Sequence, residues 1–183
     1  MKTLINGQWT NRKDEKQSND GSFKRKDTEF RNWITPDGSP GKTGLGGFRA
    51  ESGRYHLYVS LACPWAHRTL IFRKLKNLEP HIGLSIVHPI MLENGWEFRT
   101  DFSQCTGDQI LGKNSIFEVY LAANKNITSR ASVPVLWDVK QATIVSNESS
   151  EIIRMFNFAF EKISDNELDL YPRTLRTEID ELN

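Results

Sequence analysis

The 183-residue chain is poor in cysteine: it has only Cys63 and Cys105, 42 residues apart. That scarcity excludes a disulfide framework and fits a reducing compartment, the cytoplasm. No apolar run approaches the roughly 18 residues that a membrane-spanning helix requires. The opening Met1-Lys2-Thr3-Leu4-Ile5-Asn6-Gly7 lacks the apolar core of a secretory signal. Neither sign of charge is in excess, since 24 basic and 23 acidic residues leave +1. This balance gives no electrostatic basis for binding nucleic acid or an anionic membrane. Neither Cys-x-x-Cys nor His-x-x-x-His occurs, so the common metal-ligand spacings are missing and no metal is expected.

What is present is one domain of ordinary size with extensions. Residues 1–53 read as a polar N-terminal extension, dense in charge from Asn11 to Lys26 and mildly basic over Ser22–Lys26. Its aromatics (Trp9, Phe23, Phe30, Trp33, Phe48) are too many for a pure linker, so parts of it should pack on something. Gly41-Lys42-Thr43 invites a phosphate-loop reading, but Pro36 stands where that motif needs its first glycine, and an ordinary loop is expected.

From Arg54 the texture changes. Tyr55–Ser60 reads as a strand, residues 64–77 as a helix, and Ile82–Val87 as a second strand. A loop-rich stretch (91–112) follows, then a helix at 115–124, a hairpin from Val133–Asp138 and Thr143–Val145, and a helix at 149–160. Glu151 should lie in the first turn of that last helix, where negative charge is favoured. The order β-α-β-α-β-β-α predicts a mixed four-stranded sheet flanked by helices, the thioredoxin-type α/β layout, over 54–160. Residues 161–183 read as a linker and the start of a further helix carrying Leu175, Ile179 and Leu182.

Chemistry concentrates at Cys63, where the strand stops and Pro64 opens the helix. Unpaired N–H groups and the positive helix end favour a nucleophilic thiolate at such a corner. Ala66 occupies the place of a resolving cysteine, so any redox partner thiol must come from another molecule. Pro134 at the start of a strand is either a trans edge proline or a cis proline opposite the cysteine. Glu148-Ser149 is either a plain helix cap or a corner that holds a carboxylate and an ammonium group. His67 is expected on the surface or just behind the site, and Cys105 is expected to be an ordinary thiol in a polar loop. Arg68 and Arg73 are expected on the solvent or partner face of the first helix.

Tyr55 to Arg68 (with Cys-Pro-Trp-Ala-His-Arg at 63–68), Met91–Trp96, Val133–Asp138 and Ile144–Ser149 together resemble the glutathione transferase superfamily. In detail they are similar to its Xi class, the glutathionyl-hydroquinone reductases, from about residue 30 onward. The resemblance implies a thioredoxin-like glutathione transferase N-terminal domain with Cys63 as nucleophile. It also implies glutathione as co-substrate, held by Trp96, by Arg130, Ala131, Ser132 and Val133, and by Glu148 and Ser149, with Pro64 and Pro134 shaping the site. Glutathionylated hydroquinones are the implied substrates, and a homodimer is the family's usual assembly. Members continue into an all-helical domain that supplies a tyrosine proton donor; that domain is expected to be missing from this chain.

Overall fold

Tyr55–Ser60, with two tyrosines, a leucine and a valine, suits a strand covered on both faces and is fully buried. The computed structural model describes residues 2–11 and 28–182. Phe23 and the basic run at 22–26 lie outside the described residues. The elements are β1 (Lys2–Ile5), β2 (Gln8–Asn11), β3 (Tyr55–Ser60), α1 (Pro64–Leu75), β4 (Ile82–Val87) and α2 (Ile116–Ala123). They continue with β5 (Val135–Asp138), β6 (Thr143–Ser146), α3 (Ser149–Phe158), α4 (Glu161–Ser164) and α5 (Arg176–Leu182), a 3-10 turn preceding α5.

The main sheet runs β4-β3-β5-β6. β3 pairs with β4 in parallel, Tyr55 opposite Ile82 and Ser60 opposite Val87, across the α1 crossover. β3–β5 and β5–β6 are antiparallel. This is the thioredoxin-like mixed sheet expected from the element order. α1 and α3 pack on each other, and α2 lies against β6. Glu118 in the first turn of α2 accepts the Ser115 N–H at 2.9 Å, half of a capping box that fixes where the helix starts. The last long helix is shorter than its periodicity suggests. α3 ends at Phe158 and α4 begins at Glu161, yet Phe160 between them is still buried in the core.

The N-terminal residues pack more than their polarity suggests. Asn6 and Gly7 both have positive φ (49° and 77°) and form a tight turn between β1 and β2. A Cβ on Gly7 would lie 1.9 Å from the Lys125 carbonyl oxygen, so no other residue fits this approach. Leu4 is buried and exchanges backbone hydrogen bonds with Ser129 at 3.0 and 3.1 Å. Trp9 stacks on Phe117 with ring centroids 4.6 Å apart. Residues 30–34 then strap the β6 edge. The Asn32 N–H donates to Val145 O at 2.9 Å, and the Ile34 N–H donates to the Met155 sulfur at 3.0 Å. At the opposite edge Thr106 caps β4, its hydroxyl accepting the Ile86 N–H at 2.8 Å. The β6 edge is thus covered by the strap, and the β4 edge is capped at Ile86.

His56 on β3 lies opposite Gly83, where a Cβ would come within 2.3 Å of the imidazole Nδ1. Its Nε2 is 2.7 Å from Ser85 Oγ. Burial pushes the imidazole down to about 4; Asp108 opposes that shift and Arg73 adds to it. Between the ordinary value of 6.5 and about 4, the unfolded chain therefore binds a proton that the folded chain refuses. Stability is present above that window and is lost as pH falls through it, by roughly 3 kcal/mol in full. Urea unfolding at about pH 7 and pH 4.5 checks this: His56→Gln should lose roughly 2–3 kcal/mol less than the wild type on acidification. Equal losses would rule out His56 as the acid-sensitive group.

Candidate active site

β3 ends at Ser60, and the chain turns over Leu61 and Ala62 before α1 begins. Buried Ser60 shapes this turn. Its hydroxyl accepts the Ala62 N–H at 3.2 Å, and its carbonyl accepts the Cys63 N–H at 3.2 Å. Cys63 is the N-cap of α1, extended at φ −102° and ψ 113°, and Pro64 follows at the first helical position. The cysteine side chain makes no capping hydrogen bond. It is half-buried, and its Sγ lies 3.6 Å from the carbonyl oxygen of Val133. The Val133–Pro134 bond is cis, and Pro134 immediately precedes β5. Cys63 and the strand entrance, 70 residues apart in sequence, are thus in direct contact.

The third element stands at the start of α3. Glu148 is the N-cap, and its Oε1 accepts the Ser150 N–H at 3.3 Å and the Ser150 hydroxyl at 3.1 Å. Glu148 Oε2 makes no hydrogen bond among the described residues. The Ser149 hydroxyl is bound to Arg68 of α1, whose Nε and Nη2 donate to it at 3.0 and 2.7 Å. Arg68, expected on the solvent or partner face of α1, instead faces α3. Arg73 is not a surface residue either: its Nε donates to Ile82 O at 2.8 Å, tying α1 to the start of β4. The Arg68 contact spans 81 residues, so helix position alone could not reveal it, whereas the Arg73 contact spans nine.

Tyr120 joins the two arms of the site. Its hydroxyl donates to Ser132 O at 3.0 Å and accepts the Ser132 N–H at 3.3 Å and the Asn147 amide at 2.8 Å. The loop leading to Val133 is thereby held to the corner leading to Glu148. A tyrosine on an apolar helix face needs such a partner when buried, which is the one sequence signal that pointed here. Trp96 and Arg130 belong to separate elements. Trp96 follows Gly95, which has φ 74°, and stands half-buried against the core with its carbonyl accepting the Ile116 N–H at 2.9 Å. Arg130 is exposed on the loop between α2 and β5, with half-buried Ala131 next to it.

The remaining chemical residues have structural surroundings. His67 is exposed on α1. Cys105 is half-buried, and burial pushes its thiol up. Gly41 lies against Trp33, where a Cβ would meet the Trp33 Cβ at 2.2 Å, and Thr43 Oγ1 accepts the Trp33 indole N–H at 2.9 Å, so this loop packs an aromatic ring. No group of three or more His, Cys, Asp or Glu that could hold a metal occurs among the described residues. No helix of the described residues is long and apolar enough to cross a membrane.

The family model for the glutathione S-transferase N-terminal domain matches residues 62–157, a span containing Cys63, Val133, Glu148 and Ser149. The glutathionyl-hydroquinone reductase YqjG of Escherichia coli (strain K12) is 56% identical over 183 residues, 100% of this chain and 56% of that protein. The glutathionyl-hydroquinone reductase PcpF of Sphingobium chlorophenolicum is 42% identical over 183 residues, again 100% of this chain and 55% of the relative. The chain therefore spans about half the length of the curated relatives it matches. Among solved structures, a Xi class glutathione transferase from Natrialba magadii superposes with TM-score 0.88 at 44% identity, covering 100% of this chain and 54% of that one. The glutathione-bound structure of YqjG superposes with TM-score 0.82 at 60% identity, covering 84% and 50%. The fold, the matched span and these relatives agree, and the chain belongs to the glutathione S-transferase family, in its Xi class.

Proposed function

We propose that the chain is the glutathione-binding, nucleophile-bearing part of a glutathionyl-hydroquinone reductase. The observation that carries this reading is the contact of Cys63 Sγ with the Val133 carbonyl at 3.6 Å, at a strand entrance held to the Glu148–Ser149 corner through Tyr120. A peptide laid along Val133 can exchange backbone hydrogen bonds with it, as in strand addition. Its cysteine sulfur then falls beside Cys63. Its amino-acid head falls at the α3 corner, where Glu148 takes an ammonium and Ser149 with the helix N-terminus takes a carboxylate. Trp96 offers a flat apolar cover, and Arg130 a cation for the glycyl carboxylate.

The reaction is thiol transfer. The Cys63 thiolate attacks the sulfur of a glutathionyl-hydroquinone. The S–S bond forms as the sulfur–aryl bond breaks, and the aryl carbon keeps the bonding pair and takes up a proton. A second glutathione thiolate then attacks the mixed disulfide, releasing the Cys63 thiolate and oxidised glutathione. Buried Ala66 leaves no internal thiol to compete with that second glutathione. Supply of the reduced peptide makes the cytoplasm the proposed setting.

A narrower reading is a glutaredoxin-like module that exchanges small mixed disulfides without a quinone pocket. It is favoured by the position of all three site elements between residues 63 and 149, well inside the half of the relatives that this chain spans. Calorimetric titration with glutathione, then turnover of a glutathionyl-hydroquinone and of a simple glutathione mixed disulfide, separates the two. Turnover of both supports the full reading, and turnover of the disulfide alone supports the narrower one. Absence of glutathione binding would remove both.

A further inference from the structure

Arg68 stands five residues after Cys63 on α1, and its side chain crosses to the first turn of α3. Both its Nε and its Nη2 donate to one acceptor, Ser149 Oγ, at 3.0 and 2.7 Å. A serine hydroxyl has two lone pairs and one proton. With both lone pairs occupied by guanidinium N–H groups, the hydroxyl can act only as a donor. No acceptor for that proton is found among the described residues, and Ser149 itself is 4% exposed. The same guanidinium passes 4.0 Å from Glu148 Oε1, too far for a hydrogen bond, so it biases that carboxylate without occupying it. It also lies over the ring of Trp65, 5.1 Å from the centroid, which holds the side chain at this angle.

We infer that Arg68 is a positioning residue for recognition of the γ-glutamyl head group, because it fixes Ser149 as a donor and places positive charge behind it. This rests on the glutathione reading above and adds a specificity to it. An anionic group is selected at Ser149 and a cationic one at Glu148, so the site takes peptides whose γ-linked end is a free α-amino acid. The orientation of the zwitterion is set before the sulfur reaches Cys63. Since Arg68 and Cys63 share α1, the helix that carries the nucleophile also carries the residue that orients the ligand.

The test compares glutathione with 4-aminobutanoyl-cysteinyl-glycine, the same peptide without the α-carboxylate. NMR titration of the whole chain reads both strong and weak binding. Arg68→Gln should weaken glutathione by roughly 10- to 100-fold, the loss of a charge-assisted contact. It should change affinity for the carboxylate-free peptide by less than about twofold. Arg68→Lys keeps the charge but cannot fork onto the hydroxyl, and should fall between the two; it also gives the comparison if the glutamine variant does not fold. A merely structural role predicts equal losses for both peptides, and that result, or an unchanged glutathione affinity, overturns the inference. If the wild-type chain binds neither peptide, the functional reading fails as well, a pattern distinct from either of these.

Discussion

Cys63→Ser is expected to abolish glutathionyl transfer, with any residual rate at least roughly a thousandfold below the wild type. A serine hydroxyl at the same corner is far from ionised near neutral pH and forms no bond that a second glutathione could resolve. The substitution should leave the fold intact. Cys63 is an N-cap with no side-chain capping bond, and serine is among the preferred residues there, so stability should hold or rise by up to about 1 kcal/mol. Glutathione binding should survive within a few-fold, because the Val133, Glu148 and Ser149 contacts are untouched. Mass spectrometry after incubation with a glutathione mixed disulfide reads the chemistry directly: the wild type gains a glutathionyl group at residue 63, and the variant gains none there. Turnover retained by the serine variant would remove Cys63 from the mechanism.

The largest expected effect on stability lies away from the site, at Asp138→Asn. Asp138 is fully buried at the end of β5, and Arg54 meets it through Nε at 3.0 and 3.1 Å and through Nη2. The same carboxylate accepts the Lys140 N–H at 2.9 Å and the Gln141 N–H at 3.3 Å, closing the β5–β6 turn. Arg54 in turn donates to Glu51 at 2.8 Å and to the Gly47 carbonyl at 2.8 Å. One ion pair therefore organises both the turn and the loop before β3. Removing the negative charge leaves the buried guanidinium with only the half-exposed Glu51 as counter-ion, at a cost of ~3 kcal/mol. Replacing both partners with apolar residues of similar volume (Arg54→Met with Asp138→Leu) should lose much less, because no charge is stranded. Urea unfolding of the two variants separates these cases, and a cost below about 1 kcal/mol for Asp138→Asn contradicts the buried-charge account.

The main sheet and its helices were legible because each has a local signature. Tyr55–Ser60 alternates nothing and hides everything, Pro64 marks a helix start, and the hairpin around residue 140 is bounded by β-branched runs. What stayed hidden depends on partners distant in sequence. Leu4 and Ile34 sit in polar surroundings without helical or strand periodicity, and they are buried only because Ser129 and Met155 meet them in space. Asn6-Gly7 was a usable turn signal for the first hairpin, but the flanking strands are only four residues each. In the candidate site, the types at residues 63, 134, 148 and 149 carried their own chemistry. Arg68 did not, because an arginine on a helix gives no hint of a serine 81 residues away.

The strap that closes the β6 edge also bears on how the chain is made. Residues 30–34 leave the ribosome more than a hundred residues before their partners Val145, Glu151 and Met155, which are among the last of the sheet-and-helix unit to emerge. Contacts of such sequence separation form late and slowly, since the loop-closure entropy comes before any reward. During translation the early segment, with Phe30, Trp33 and Ile34, therefore waits with its apolar side chains uncovered.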